Sequence, residues 1–461
     1  MGQQIIAALD LGTSKSIAFV AKRDLSNRLS VLRTETLPSK DAIRRGRIFN
    51  TDETSEIISK LFRKLNNNSA LQIEKIYAGI GGQSLRSQSF SVKKPVPDGN
   101  VTRQMIESIE EEAKRFEPEL DENLCICSIE YYIDGQPVSN PKGAVGSLIE
   151  AHFQLIVGNP CLKGNLKNAL AGKSVSVAEY FISPLATAEV VLTPEEKQAG
   201  CALIEFGEGV TYVSVYKNKT LKYMVTLPLG GLAITKDIVS LLSVSEEEAE
   251  ALKIKHGKAI ADLTDTGTVS VNEAQISARK IELKDLNGII EARMDEIVRN
   301  ILNQIESSGY FQAIDTGIII TGEGALLRDL PQYIRNQTGK EVRLAKPKVW
   351  ENQTETYLSP GESCVAGLAI LGTENCGTER QAIAEVPKPS VGGGRPTPPT
   401  QSSTPTPPSK PKKPGPFSKF LKHGLDLFKD EDFDNPTKQL FEEDDENVNK
   451  DNKDNKNNTN I

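Results

Sequence analysis

The sequence IIAALDLGTSKSIAFV, residues 5–20, sets the architecture on which the rest of the chain builds. Two apolar runs, residues 5–9 and 17–20, flank a turn of small, hydroxyl-bearing and charged residues. This pattern predicts a β-hairpin whose turn directs several backbone N–H groups into one concavity, which suits a phosphate group. The turn matches neither a P-loop nor a G-x-G-x-x-G fingerprint, so a polar turn without a ligand is the alternative interpretation.

The residues of this turn are candidates for binding a phosphate and a metal ion. Asp10 ends the first strand and is placed to hold Mg²⁺ through water, because Mg²⁺ keeps much of its hydration shell. Gly12, Thr13, Ser14 and Lys15 follow it and offer backbone amides, hydroxyls and an ammonium group to a phosphate.

The segment DLGTSK resembles the first phosphate loop of the actin-like ATPase superfamily, and this resemblance implies two more glycine turns. Both are present in altered form, within LIEFGEGVT at residues 203–211 and IIITGEGAL at residues 318–326. A glycine pair also precedes a predicted helix after LPL. The further candidate cofactor-binding residues are Glu205, Gly207, Gly209, Thr211, Gly230, Gly231, Gly322, Gly324 and Ala325.

Composition and charge narrow the class of protein. A length of 461 residues predicts two or more domains. The first residues read directly as a strand, so we expect no signal peptide. Residues 429–461 carry eleven acidic and five basic residues and so supply most of the net charge of −7. Residues 1–428 are therefore near neutral in net charge, which argues against nucleic acid as a partner. The six cysteines lack CxxC spacing, which favours reduced thiols in the cytoplasm.

Two stretches interrupt the regular strand and helix pattern. The pattern over residues 84–160 predicts a compact α+β insert. The pattern over residues 245–310 predicts a second, helix-rich insert with a long amphipathic helix over 283–305. The strand–glycine turn–strand pattern of residues 5–20 recurs at 201–216, which indicates two related halves.

The carboxyl-terminal region changes character twice. A linker rich in proline and glycine gives way to a segment whose apolar residues fall on one helical face and are flanked by lysines. Such a short helix is marginal in water unless it buries its apolar face on a surface. Its basic flanks favour an anionic membrane as that surface. Docking on a protein, or disorder, is the alternative. The predicted membrane-binding residues are Phe417, Phe420, Leu421, Leu425, Phe428, Lys419 and Lys422.

The ordered segments of the chain resemble the FtsA family of actin-like bacterial cell-division proteins. The resemblance covers about residues 5–373, with the linker and terminal helix. It rests on ALDLGTSKS, AIRRGRIFN, IYAGIGGQSLRS, EYYIDGQPVSNPKGAVG, ISPLATAEVVLTPEEKQAG, IIITGEGALL and CVAGLAILG in this order.

The resemblance implies an α/β, actin-like (ribonuclease H-like) fold of two lobes, with an α+β insert in the first lobe and a disordered carboxyl-terminal tail. The expected parts are lobe 1 (1–83 and 161–195), the insert (84–160), lobe 2 (196–240 and 311–375), a helical subdomain (241–310), a linker (376–416), an amphipathic membrane-targeting helix (417–433) and an acidic disordered tail (434–461).

The resemblance also implies a function in cell division. ATP and Mg²⁺ would bind between the lobes of a chain that polymerises and holds FtsZ filaments on the inner face of the cytoplasmic membrane at the division site. The FtsZ carboxyl-terminal tail would dock on residues 241–310, where Arg279 and Arg293 match the contact surface. The 84–160 insert would recruit later division proteins.

Two departures from the family pattern bear on catalysis. The second turn usually reads Asp-x-Gly-Gly-Gly-Thr-Thr-Asp, whereas here it begins with Glu205, carries Glu208 and ends with Tyr212. The third turn carries Glu323 between its glycines. Extra carboxylates repel a triphosphate unless a metal or lysine intervenes, so we expect ATP binding with weak or absent hydrolysis. A phosphotransferase of the same superfold and a PilM-like pilus-assembly protein are the alternatives.

Overall fold

A computed structural model of the chain describes residues 4–67, 71–271, 279–351 and 354–379. The linker beyond residue 379, the amphipathic helix of residues 417–433 and the acidic tail, all predicted from sequence, lie outside the described residues. No helix within these ranges combines the length and apolarity needed to cross a membrane.

The strands of the described residues lie mainly in two large sheets. In chain order they are β1 (Gln4–Leu11), β2 (Lys15–Arg23), β3 (Leu29–Pro38), β4 (Ile43–Arg44), β5 (Arg47–Ile48), β6 (Leu71–Ile73), β7 (Lys75–Ile80), β8 (Arg86–Pro95), β9 (Glu122–Ile133), β10 (Gln136–Val138), β11 (Leu148–Gly158), β12 (Ser176–Ile182), β13 (Cys201–Phe206), β14 (Thr211–Lys217), β15 (Thr220–Leu227), β16 (Thr268–Val271), β17 (Arg279–Glu282), β18 (Ile318–Thr321), β19 (Val342–Leu344), β20 (Lys348–Glu351), β21 (Thr354–Tyr357) and β22 (Gly377–Glu379).

The helices cover the faces of these sheets. They are α1 (Thr51–Asn66), α2 (Arg103–Lys114), α3 (Cys161–Leu170), α4 (Ser183–Val191), α5 (Pro194–Ala199), α6 (Gly231–Leu242), α7 (Glu246–His256), α8 (Leu283–Ser307), α9 (Leu330–Thr338) and α10 (Ser363–Leu371). Local sequence explains their ends. The α1 helix, for example, begins after Asn50, whose side chain accepts hydrogen bonds from the amides of Asp52 and Glu53.

The two halves of the chain share one strand order. The first sheet runs β12-β7-β1-β2-β3, and part of the second runs β19-β18-β13-β14-β15. In each half an antiparallel hairpin continues into a third antiparallel strand, while two later strands add in parallel on the other side. The repeat predicted from the recurring hairpin pattern therefore extends to a whole five-stranded unit.

Helices α4 and α10 join the two halves. A Cβ on Gly367 in α10 would lie 1.9 Å from the carbonyl oxygen of Ala186 in α4, so only glycine permits this crossing. Alternate residues of β13 face opposite sides of its sheet. Leu203 belongs to the core shared with lobe 1, and Ile204 belongs to a separate core of lobe 2. The base of the interlobe cleft is therefore a continuous apolar core.

The insert extends the sheet of lobe 2, although in the sequence it interrupts lobe 1. Strand β8 pairs with β15, which makes β9, β10 and β11 part of one nine-stranded sheet. The amide of Met224 donates to Ser87 Oγ at 2.8 Å, and Thr226 Oγ1 donates to the carbonyl of Leu85 at 2.8 Å. The insert thus contacts both lobes, which sequence analysis did not anticipate.

Two features differ from the sequence-based expectation near the end of the core. Residues 377–379, assigned to the linker, form β22 and pair with β6. The linker therefore begins later than residue 376, because the amide of Cys376 still donates to the carbonyl of Ile5 at 2.7 Å. The β20–β21 hairpin was also missed, since its strands are short and rich in charged residues.

Candidate functional site

Two turns with the same closing hydrogen bond face the cleft between the lobes. The β1–β2 turn is closed by the Gly12 amide, which donates to the carbonyl of Lys15 at 3.0 Å, and the β13–β14 turn by Gly207 and Val210 at the same distance. A Cβ on Gly12 or Gly207 would lie 2.8 Å from the accepting oxygen. Both turns therefore need glycine for the same reason, and both predicted hairpins are present.

These turns touch each other across the cleft. A Cβ on Gly209 would lie 2.6 Å from Thr13 Oγ1, which leaves no room for a side chain between them. The third glycine turn follows β18. Gly322 there has a φ of +86° and packs on the backbone of Phe206. The structure thus brings together all three turns that the sequence singled out.

A polar cavity of about 110 Å³ lies where the turns meet. The predicted residues that line it are Asp10, Gly12, Thr13, Ser14, Lys15, Glu205, Gly207, Gly209 and Gly322. Sequence analysis missed other lining residues, among them Gly46, Gly81, Ser183, Gly361 and Cys364. Because these come from four separate segments of the chain, no local motif points to them.

A larger, mainly apolar cavity of about 290 Å³ adjoins the first one. Both are lined by Ser14, Phe206, Gly207, Glu208 and Glu323. Predicted residues Gly230, Gly231 and Gly324 line only the larger cavity, beside Ile234, Glu250, Lys253, Ile254, Met294 and Arg328. Sequence analysis did not single out the α7 residues in this set as ligand-binding candidates.

A polar network fixes one wall of the larger cavity. Lys253 Nζ donates to Thr235 Oγ1 at 2.8 Å, to the Gly231 carbonyl at 3.0 Å and to Glu250 Oε2 at 2.7 Å. Thr235 Oγ1 donates to the same Glu250 oxygen at 2.5 Å. The Glu250 carboxylate is thereby held at the cavity wall and is able to accept hydrogen bonds from a ligand.

Three predicted cofactor residues have other roles in the structure. The Gly231 amide donates to the Gly207 carbonyl at 3.0 Å, so this end of α6 packs on the second turn. Thr211 Oγ1 donates to the Leu229 carbonyl at 2.8 Å. Thr211 and Ala325 are buried and line neither cavity. The Thr211 hydroxyl is used in its bond to Leu229, and Ala325 belongs to the core of lobe 2.

Two carboxylates lie together in the small cavity. Asp10 Oδ1 accepts a hydrogen bond from the Cys364 thiol at 3.2 Å, and burial raises the pKa of Asp10. Burial, with the Asp10 charge added, raises the pKa of Glu205 to about 8. The Oε2 atom of Glu205 is buried and has no hydrogen-bond partner among the described residues. Such a pair favours a cation between its members.

We expect Glu205→Gln to flatten the pH dependence of stability. The folded state holds a proton on Glu205 up to about pH 8, whereas the unfolded chain releases it near pH 4.5. The contribution of this group is therefore full below pH 4.5 and is lost as the pH rises toward 8. Urea unfolding without metal should show the variant gaining stability over the native chain between pH 5 and 8. An equal gain by Glu179→Gln, at an exposed site, would contradict this.

The two extra carboxylates of the altered turns differ in their surroundings. Glu323 forms an ion pair with Lys15, which links the third turn to the first across the cleft. Burial and the nearby Glu250 charge raise the pKa of Glu208. A lysine therefore does intervene at Glu323, which is one of the two conditions set out from the sequence.

Tyr212 crosses the cleft at the far side of the small cavity. Its hydroxyl accepts a hydrogen bond from the Gly82 amide at 2.8 Å. A Cβ on Gly81 would lie 2.7 Å from this hydroxyl. Burial raises the pKa of Tyr212, so the hydroxyl stays neutral. The residue therefore ties the two lobes together where the family pattern has an aspartate.

The two arginines assigned to partner binding both have partners within the chain. Arg279 Nη1 donates to the Leu242 carbonyl at 2.6 Å. Arg293 forms a forked ion pair with Asp237, with Nη2 to Oδ1 at 2.9 Å, and a second pair with Glu296. A carboxylate from another protein would compete with Asp237 at this position.

Comparisons with known proteins match both the core and the insert. The sequence model "Cell division protein FtsA" matches residues 202–367, and "SHS2 domain inserted in FTSA" matches residues 82–157. The cell division protein FtsA of Porphyromonas gingivalis is 33% identical over 380 residues, which cover 81% of this chain and 79% of the relative. That of Neisseria meningitidis is 26% identical over 371 residues, covering 79% and 89%.

A solved structure shows the same fold at lower identity. The PilM–PilN type IV pilus biogenesis complex matches with a TM-score of 0.56 and 14% identity, covering 79% of this chain and 97% of that one. The expected actin-like α/β fold with an α+β insert is thus confirmed for the described residues. By its sequence relatives, this chain belongs to the FtsA family of cell division proteins.

Proposed function

We propose that the chain is an actin-like division scaffold that binds ATP with Mg²⁺ in the interlobe cleft and tethers FtsZ filaments to the membrane. The observation that carries the nucleotide part is the pair of facing glycine turns, which opens into an apolar cavity. A nucleoside triphosphate has the matching shape, with a charged chain joined to a largely apolar base.

The cleft residues fit this ligand. The turns of residues 11–15 and 206–210 supply amides and hydroxyls to the phosphates, together with the Lys15 ammonium. The larger cavity supplies Ile234, Ile254 and Met294 for a base. The carboxylate of Glu250 is placed to accept hydrogen bonds from sugar hydroxyls.

The residues also fit Mg²⁺. The described residues contain no cluster of three or more His, Cys, Asp or Glu able to hold a metal ion, but Asp10 and Glu205 both line the small cavity. Mg²⁺ bound to a nucleotide needs only one or two carboxylates, with water and phosphate oxygens completing its shell. The buried Oε2 atom of Glu205, which has no hydrogen-bond partner among the described residues, would be free to contact the ion or one of its waters. When bound, the ion would neutralise phosphate charge.

The site is better suited to holding ATP than to turning it over rapidly. Tyr212, neutral and bonded to Gly82, stands where the family pattern has an aspartate. A neutral phenol is a poor base for activating water. We therefore expect slow hydrolysis, with the bound nucleotide holding the lobes in the conformation that polymerises.

The tethering part extends the family assignment to segments outside the described residues. The helical spacing of Phe417, Phe420, Leu421 and Phe428, beside Lys419, supports reversible binding to an anionic membrane from the cytoplasmic side. A polymer multiplies such weak helices, so attachment would depend on assembly. The FtsZ tail would dock near Arg279 and Arg293, and later division proteins on the 84–160 insert.

We expect Glu323→Gln to strengthen ATP binding. The change removes one negative charge from the cleft and frees Lys15 for phosphate. Removal of one like charge at this half-exposed position corresponds to roughly 1 kcal/mol, or an affinity gain of about three- to tenfold. Titration with a fluorescent ATP analogue measures it. Glu341→Gln, exposed and outside both cavities, is the control. Equal or weaker binding by the Glu323 variant would show that its carboxylate does not oppose the phosphates.

Equilibrium binding of ATP to the full chain, with and without Mg²⁺, tests the nucleotide site itself. We expect saturable binding that Mg²⁺ strengthens and that unlabelled ATP displaces. Lack of saturable binding at millimolar ATP with Mg²⁺ would refute the proposal.

A further inference from the structure

The β4–β5 hairpin carries an unusual residue at its tip. Arg45 and Gly46 connect the two strands with φ values of +49° and +68°. Two-residue hairpin turns of this kind favour Asn-Gly or Gly-Gly, since other side chains are strained at positive φ. An arginine held in the left-handed region therefore calls for a functional explanation.

This tip rests on the phosphate-binding turns. The Gly46 amide donates to Thr13 Oγ1 at 2.9 Å, and a Cβ on Gly209 would lie 3.0 Å from the Cα of Arg45. The hairpin is thus anchored to the first turn and in backbone contact with the second. Its position relative to the cleft is set by both lobes.

The charge of Arg45 is not used within the fold. Arg44, its neighbour, stacks on Phe49 at 4.1 Å and pairs with Asp41 at 3.5 Å. Arg45 is exposed and has no hydrogen-bond or ion-pair partner among the described residues. A guanidinium so placed is available to a ligand.

The small cavity lacks positive charge for a triphosphate. Its lining includes four acidic side chains, Asp10, Glu205, Glu208 and Glu323, and one cationic side chain, Lys15, which Glu323 already neutralises. A triphosphate bound there needs cationic groups from beyond the lining residues as well as a metal ion.

The position of the hairpin indicates which phosphate it faces. Gly46 and Gly209 line the small cavity but not the larger one, whereas Ser14 and Glu208 line both. The hairpin therefore lies at the end of the cleft away from the nucleoside cavity. The terminal phosphate of a bound nucleotide would lie at that end.

We propose that Arg45 binds the terminal phosphate and makes this site select nucleoside triphosphate over diphosphate. The inference rests on the proposed nucleotide-binding function. The guanidinium would donate charge-assisted hydrogen bonds to phosphate oxygens that the diphosphate lacks. The strained backbone of Arg45 would then serve to aim its side chain over the second turn.

The test compares Arg45→Gly with Arg44→Ala in the full chain. Glycine suits the positive φ, so the first variant removes the side chain and relieves strain without disturbing the hairpin. Binding of Mg·ATP and Mg·ADP is measured for each by displacement of a fluorescent analogue. We expect Arg45→Gly to lose about tenfold or more in ATP affinity with ADP affinity unchanged, as for a hydrogen bond to a charged group. Arg44→Ala should keep the native ratio.

The outcomes separate this inference from the proposed function. If the native chain binds ATP and Arg45→Gly has the same ATP-to-ADP affinity ratio as the native chain, the role of Arg45 is overturned and the nucleotide site stands. An equal loss in both arginine variants would indicate bulk charge and would also overturn it. Native chain that binds neither nucleotide would overturn both proposals.

Discussion

Replacing Asp10 with asparagine is expected to weaken Mg²⁺-dependent ATP binding by about 10- to 100-fold, the range for groups in the outer shell of a metal site. Asparagine keeps the shape of the side chain and an oxygen that accepts from the Cys364 thiol. The fold should therefore survive while one of two carboxylates facing the ion is lost. Binding measured over a range of Mg²⁺ concentrations should show the loss, whereas without Mg²⁺ the variant should bind ATP no more weakly than the native chain does.

Two comparisons make this result specific. Asp98→Asn changes an exposed aspartate of the insert, remote from both cavities, and should bind as the native chain does. Thermal unfolding of Asp10→Asn should not fall below the native value, since the change removes a partly buried charge. Native Mg²⁺ dependence in a folded Asp10→Asn chain would remove Asp10 from the metal site.

Phe420→Glu is expected to reduce sedimentation with anionic liposomes at least tenfold. A buried phenylalanine contributes about 1.5–3 kcal/mol to partitioning, and about 1.4 kcal/mol is a factor of ten. The new charge adds repulsion from anionic lipid. The described residues end before this segment, and we expect the circular dichroism and ATP binding of the variant to stay native.

His423→Glu provides the matched control, because the spacing puts residue 423 on the polar side of the predicted helix. It introduces the same charge away from the apolar stripe and should reduce sedimentation much less. Equal losses in both variants would indicate that charge alone governs binding. Native sedimentation of Phe420→Glu would refute the membrane role of this segment.

The hairpin turns could be predicted because each is encoded within about sixteen consecutive residues. Apolar runs on both sides of Gly12 and of Gly207 define strands and turn at once. Their recurrence predicted two related halves, and the shared five-strand order agrees with that prediction. The third turn followed from the same local pattern after residues 318–321.

The remaining features depend on contacts between distant parts of the chain. Lys15 and Glu323 are 308 residues apart, and neither residue type at its position indicates the other. Glu250 and Lys253 lie on a helix with an ordinary charged sequence, and only the packing of α7 beside α6 turns them toward a cavity. The pairing of β8 with β15 likewise joins strands that have no common sequence signal.

Tyr212 shows how a departure from a family pattern is resolved only by the fold. From sequence it signified a lost aspartate. In the structure its hydroxyl replaces a charge with a hydrogen bond to Gly82, and the small size of Gly81 makes room for it. The residue therefore strengthens the contact between lobes, and our proposal of slow hydrolysis rests on the same position.

Sedimentation of FtsZ with anionic liposomes, with the full chain and Mg·ATP present or absent, tests the central claim most directly. We predict that FtsZ enters the pellet when the chain and Mg·ATP are both present, and that a chain truncated after Ser409 does not carry it there. If the full chain reaches the pellet while FtsZ stays in the supernatant, or if the truncated chain recruits FtsZ equally well, the tethering account is contradicted.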